Sequence, residues 1–124
     1  MHLVIDIGNT SAKIAVFSQG EMINVVRSSN QSLEGLDELC QQYPIKKGIW
    51  ASVISIPEEI QQQLQQLPFP MMEFTYQTPI PIRNLYKTPQ TLGVDRLAAV
   101  IAAYTQKPHH PALVIDAGTC ITYD

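Results

Sequence analysis

The sequence predicts an α/β fold: a mixed sheet that opens with three antiparallel strands and continues with alternating helices and strands. Two observations carry this reading. The first is a set of short apolar runs joined by polar turns at the amino terminus, which favours hairpins. The second is a later switch to apolar spacing of three and four residues, which marks helices lying between further apolar runs.

His2 to Ile7, Ala12 to Phe17 and Met22 to Arg27 are the three opening strands, linked by Gly8-Asn9-Thr10-Ser11 and Ser18-Gln19-Gly20-Glu21. Leu33, Leu36, Leu39 and Cys40 then recur at helical spacing, with Ser32 as the expected cap, Glu34 in the first turn and Tyr43-Pro44 as the stop. Gly48 to Ile54 reads as a strand covered on both faces. Pro57 suits a first helical position, followed by Glu58 and Glu59 where the helix dipole favours negative charge. Ile60, Leu64 and Leu67 form the inward stripe of that helix, and the glutamines between them its solvated face.

Pro68 and Pro70 end the helix, and Met71 to Thr75 is the next strand. Gln77 to Leu92 carries Pro79, Pro81 and Pro89 with little periodicity, and a loop of that length in a small domain is more often functional than idle. Its Arg83, Asn84, Tyr86 and Lys87 can line a pocket. Gly93-Val94-Asp95-Arg96 opens a helix whose apolar face is Val94, Leu97, Ala98, Ile101 and Tyr104. His109 and His110 fall on a proline-bounded loop without the partners a metal needs.

Two turns carry chemistry. Val4-Ile5-Asp6-Ile7-Gly8-Asn9-Thr10-Ser11-Ala12-Lys13 is strand, tight turn and strand. Gly8 can take backbone angles closed to other residues and admits a ligand close to the main chain. The turn N–H groups and the Asn9, Thr10 and Ser11 side chains can form an anion-binding concavity, with Lys13 as a point charge. Asp6 would repel a bare phosphate, so it makes sense there if it holds a cation or a metal-bound water. As an ordinary hairpin, the same turn would use Asp6 as a local cap. Ala112 to Thr122 repeats the pattern, with Asp116-Ala117-Gly118-Thr119 at its centre. Asp95 and Arg96 carry two readings as well: a favourable carboxylate at a helix start with a surface ion pair, or site residues.

Composition sets bounds. The chain has 124 residues and a net charge of −3, which offers no basic footprint for nucleic acid. Its two cysteines lack zinc-ligand spacing. No run reaches membrane-spanning length and no basic-then-apolar leader opens the chain, so the expectation is a reducing cytoplasm.

The element order matches one lobe of the two-lobed actin-like ATPase (RNase H-like) fold, in which each lobe begins with its own phosphate hairpin. Residues 1–111 are the expected first lobe, and 112–124 the first hairpin of a second. On this reading the chain is the amino-terminal half of a longer protein whose other half supplies the adenosine pocket.

Three segments resemble type III pantothenate kinase, an actin-like enzyme of coenzyme A synthesis: Asp6-Ile7-Gly8-Asn9-Thr10 with Lys13, Leu92-Gly93-Val94-Asp95-Arg96-Leu97-Ala98, and Asp116-Ala117-Gly118-Thr119. The first turn is shared across the superfamily; Gly-x-Asp-Arg opening a helix before the second turn is what selects the family. The resemblance implies ATP-dependent phosphorylation of pantothenate, with Asp6, Ile7, Gly8, Asn9, Thr10, Ser11, Ala12 and Lys13 contacting the ATP phosphates and their Mg²⁺. It implies that Asp95 accepts the hydroxyl proton while Tyr86, Gly93, Val94 and Arg96 hold pantothenate. Asp116 matches the ligand of a monovalent cation, potassium or ammonium, and Thr119 an ATP contact. A homodimer is implied too, with the Gly93 to Tyr104 helix as a candidate contact. The competing readings are another actin-like phosphotransferase or phosphohydrolase, and a non-catalytic actin-like module that binds nucleotide or a partner protein.

Overall fold

A computed structural model describes residues 1–124. The chain packs as two compact units, Met1–Glu73 and Phe74–Asp124.

The first unit is built on a five-stranded mixed sheet in the order β3-β2-β1-β4-β5. Its strands are β1 (His2–Ile7), β2 (Ala12–Ser18), β3 (Glu21–Ser28), β4 (Lys47–Ser52) and β5 (Met71–Glu73). The β1–β2 and β2–β3 pairs are antiparallel, and β1–β4 and β4–β5 are parallel. Short polar turns thus produce the hairpins, and helices α1 (Leu36–Gln42) and α2 (Glu58–Gln65) carry the parallel crossovers. This is the mixed α/β architecture expected of an actin-like lobe.

Strand alternation decides which face is filled. Leu3, Ile5 and Ile7 of β1 and Ala12, Ile14 and Val16 of β2 are buried against Leu33, Leu36, Leu39, Ile60 and Leu64. Each such leucine or isoleucine contributes about 1.5–3 kcal/mol of transfer free energy. Glycine and small residues at the strand ends leave the turns exposed above that core, which is where the first candidate site lies.

Several boundaries differ from the sequence reading. Helix α1 begins at Leu36 rather than beside Ser32, because the chain first makes a turn in which the Leu36 amide donates to the Leu33 carbonyl at 3.1 Å and Gly35 takes φ 85°. Leu33 is still buried, so its apolar side chain serves the core from a turn. The Ser32 hydroxyl donates to the Glu34 side chain and caps nothing. Pro57 is the residue before α2, not its first helical residue. Strand β4 is only partly buried along most of its length, since Gly48, Trp50 and Ser52 face the core while Ile49 and Ala51 lie on the sheet's other face. Strand β5 stops at Glu73.

The second unit holds a loop with a single 3₁₀ turn (Pro89–Thr91), helix α3 (Val94–Gln106) and the hairpin β6 (Ile115–Ala117) and β7 (Ile121–Tyr123). The strand expected from Ala112 starts at Ile115, although Val114 and Asp124 exchange both backbone hydrogen bonds, at 2.9 and 3.0 Å, and lengthen the ladder by one pair. Along α3, Leu97 is buried, Val94, Ile101 and Tyr104 are half-buried, and Ala98 is exposed.

Candidate active site

The residues singled out in the sequence fall into two sets, one in each unit. In the first, the β1–β2 register places Asp6 opposite Lys13, and the Lys13 ammonium donates to Asp6 Oδ2 at 3.4 Å. Both are solvent-facing, with 60% and 42% of their side chains exposed. The β2–β3 register then sets Arg27 opposite Lys13. Asp6, Lys13 and Arg27 therefore form one row across a single face of the sheet.

The turn between these strands is held from outside. Its Gly8 amide donates to the Ser11 carbonyl at 3.0 Å, so that N–H is spent within the turn. Gly8 does not use a left-handed conformation; the positive-φ glycines are Gly20 and Gly35. What favours glycine is space, because a Cβ there would sit a tight 3.2 Å from the Ser11 carbonyl oxygen. Asn30 donates from its side-chain amide to the carbonyls of Gly8 at 3.0 Å and Asn9 at 2.8 Å. Arg27 Nε donates to Ser11 Oγ at 3.0 Å. The result is an exposed, braced loop carrying small polar side chains beside two cations and one carboxylate.

In the second unit, Gly93 precedes α3, and the Leu97 amide donates to its carbonyl at 3.2 Å. The Asp95 side chain folds back so that Oδ1 accepts the Arg96 amide at 2.8 Å. A carboxylate so placed satisfies one of the helix's unpaired N–H groups. Gly93 makes room for it, since a Cβ at residue 93 would overlap Asp95 Oδ1. Arg96 reaches the hairpin: its Nε donates to Asp124 Oδ2 at 2.9 Å and Oδ1 at 3.1 Å, and its Nη2 donates to Oδ1. The guanidinium also lies 5.6 Å from the Tyr86 ring centroid. Hydrogen bonding to Asp124 holds Arg96 well above the usual arginine range, against an opposing pull from burial. Tyr86, Gly93, Val94, Asp95 and Arg96 thus gather at the start of one helix.

Asp116 and Thr119 are exposed on the β6–β7 hairpin. Asp116 pairs across the ladder with Thr122, whose hydroxyl oxygen is buried without a hydrogen-bond partner. A carboxylate and an orphaned hydroxyl on one face suit a hard cation, which takes oxygen ligands. Asp6 stands as a single carboxylate beside the turn, which fits Mg²⁺ carried in on phosphates better than a protein cage. No group of three or more His, Cys, Asp or Glu side chains gathers to hold a metal.

A family model described as type III pantothenate kinase matches residues 2–124. The chain belongs to the type III pantothenate kinase family. Among curated relatives, the type III pantothenate kinase of Phocaeicola vulgatus is 59% identical over 124 residues, covering 100% of this chain and 51% of the relative. That of Bacteroides fragilis is 52% identical over the same span, again 51% of the relative. That of Christiangramia forsetii is 39% identical over 126 residues, with 51% of its length covered. The chain spans about half the length of the curated pantothenate kinases it matches.

Three site residues escaped the sequence reading. Arg27 carried a usable signal, because pairing the second and third strands about Gly20 sets it opposite Lys13. Asn30 and Asp124 carried none, since each acts on a partner 21 to 28 residues away through its side chain alone.

Proposed function

We propose that the protein to which this chain belongs phosphorylates pantothenate with ATP, giving 4′-phosphopantothenate, the first step of coenzyme A synthesis. The observation that carries this reading is the start of α3, where a carboxylate is held beside a fixed arginine. Asp95 has the chemistry of a base for the pantothenate hydroxyl. As it takes that proton, the hydroxyl oxygen bonds to the γ-phosphorus and the bond to the bridging oxygen of ADP breaks. Tyr86, Gly93, Val94 and Arg96 orient pantothenate. In the first unit the Gly8 turn and Lys13 contact the ATP phosphates, in the second Thr119 is an ATP contact of its own, and family membership supports ATP as the donor.

Asp6 would hold Mg²⁺ directly or through water, and Asp116 a monovalent cation, potassium or ammonium. Such cations neutralise charge on the transferring phosphoryl oxygens. In the lobe reading, residues 1–111 form the first lobe and 112–124 begin the second.

The half-exposed apolar residues Val94, Ile101 and Tyr104 of α3 support a homodimer contact; a monomer by light scattering of the intact gene product would refute it. Two free cysteines and no helix long and apolar enough to cross a membrane fit a cytoplasmic enzyme, which fractionation tests.

The deciding experiment mixes the intact gene product with ATP, Mg²⁺ and pantothenate, with and without K⁺, and measures phosphopantothenate. Pantothenate-dependent, K⁺-stimulated product is expected. ATP loss indifferent to pantothenate would overturn the reading in favour of a phosphohydrolase.

A further inference from the structure

We propose that Asp124 is a positioning residue that sets the Arg96 guanidinium for substrate, acting from the β6–β7 hairpin onto the first turn of α3. The proposal rests on the reading of Arg96 as a pantothenate contact.

An arginine side chain on a helix surface normally samples many rotamers, and a substrate that binds it must freeze them. Here the freezing is done in advance. Asp124 engages the Nε and Nη2 edge of Arg96 in a fork, with Nε donating at 2.9 and 3.1 Å to the two carboxylate oxygens. Tyr86 lies against the guanidinium at 5.6 Å. One edge and one neighbouring surface are therefore fixed, so the guanidinium has fewer conformations left to lose when an outside acceptor binds it.

The anchor is itself held. Asp124 exchanges both backbone hydrogen bonds with Val114, so its carboxylate is carried on a strand ladder. Alternation continued one residue past β7 puts Asp124 on the same face as Thr122, which pairs with Asp116. The ion pair is also partly withdrawn from water, with 24% and 15% of the two side chains exposed, unlike the open Lys13–Asp6 pair. A forked, half-desolvated pair on a fixed strand holds geometry in a way that an exposed lysine–carboxylate pair does not.

The test is steady-state kinetics of the intact gene product for wild type, Asp124→Asn, Asp124→Glu, Arg96→Lys and the Asp124→Asn/Arg96→Lys double variant. Asp124→Asn keeps the shape but loses the charge and one acceptor. It should raise the pantothenate KM about tenfold while leaving the ATP KM unchanged. Asp124→Glu, which keeps the charge and displaces the fork, should give an intermediate rise. The double variant should be no worse than Arg96→Lys alone, because Asp124 acts through Arg96.

An unchanged pantothenate KM in Asp124→Asn overturns the proposal, as does a double variant whose losses add. Equal shifts in both KM values accompanied by a lowered melting temperature overturn it too, since they mark a merely structural role. Should Asp124→Asn fail to fold, Asp124→Glu decides by the same pantothenate KM. Wild-type protein with no pantothenate-dependent turnover overturns the functional reading, and the proposal falls with it. Wild-type turnover with an unmoved variant KM sinks the proposal alone.

Discussion

The side-chain amide of Asn30 donates to the carbonyl oxygen of Gly8 at 3.0 Å, so a residue from beyond the third strand braces the turn between the first two. The same amide reaches the Asn9 carbonyl at 2.8 Å. Asn30→Ala removes both bonds and leaves in place the turn's own Gly8–Ser11 pairing and the Arg27 bond to Ser11. Each lost bond costs about 0.5–1.5 kcal/mol. The expected outcome is a rise in ATP KM on the order of tenfold with pantothenate KM unchanged, since every 1.4 kcal/mol is about tenfold. An ATP KM equal to wild type would show that the brace does not shape the proposed phosphate site.

Lys13 separates a structural from a functional role. Its pair with Asp6 is exposed on both sides, so it contributes about 0–1 kcal/mol to stability, and salt reduces that further. Lys13→Met should leave the thermal midpoint close to wild type. A charged hydrogen bond to phosphate is worth about 1.5–3 kcal/mol, so ATP KM should rise by about tenfold or more. A large drop in melting temperature without a change in ATP KM would assign Lys13 to the fold instead.

Cys40 and Cys120 differ in environment. Burial, and secondarily the Asp37 charge, raise the Cys40 thiol above its ordinary value of 9.0. Cys120 is exposed on the β6–β7 turn. At pH 8, iodoacetamide followed by mass spectrometry should modify Cys120 first, with Cys40 reacting only as the pH climbs past 9.0. The linked stability has a definite sign. Because the folded-state value is the higher one, the contribution is whole below the unfolded value and is lost as pH rises through the folded one. Equal labelling rates at pH 8 would contradict this environment.

What was legible in the sequence is what local physics decides. Leu3, Ile5 and Ile7 alternate with His2, Val4 and Asp6, and the structure buries that first set. Gly93 followed by Val94, Leu97 and Ile101 marked the start of α3 to within one residue. The helix after Leu33 was misplaced because its pattern was apolar at the right spacing while Gly35 turned the chain left-handed at φ 85°. Periodicity sees the side chains and misses that backbone choice. Asn30 and Asp124 were beyond local reading for a different reason: their roles exist only after turns and helix placement bring distant groups together, whereas Arg27 was within reach of pairing the second and third strands about Gly20.

Asp95→Asn tests the proposed base directly. The amide is nearly the same size and its oxygen can still accept the Arg96 N–H now taken by Oδ1 at 2.8 Å. The helix start should therefore survive. A general base typically contributes about 10²- to 10⁴-fold, so kcat should fall within that range while ATP affinity, read by equilibrium binding, stays near wild type. Equal loss of turnover and ATP binding would remove Asp95 from the role of base.

Gly93→Ala asks whether the carboxylate's position, and not only its presence, matters. Gly93 lies at φ −55°, a conformation alanine adopts readily, so the substitution brings no backbone strain. The added methyl would instead overlap Asp95 Oδ1. Asp95 is a short side chain and can escape by rotating away, which breaks its bond to the Arg96 amide and moves the carboxylate from its present place. A displacement of about 1 Å in a reacting group can cost on the order of 100-fold. The variant should therefore melt near the wild-type temperature yet lose kcat by a factor approaching that of Asp95→Asn. Because both substitutions act on one carboxylate, the double variant should be little slower than Asp95→Asn alone. A Gly93→Ala enzyme with wild-type kcat would mean that the folded-back rotamer is not the working one.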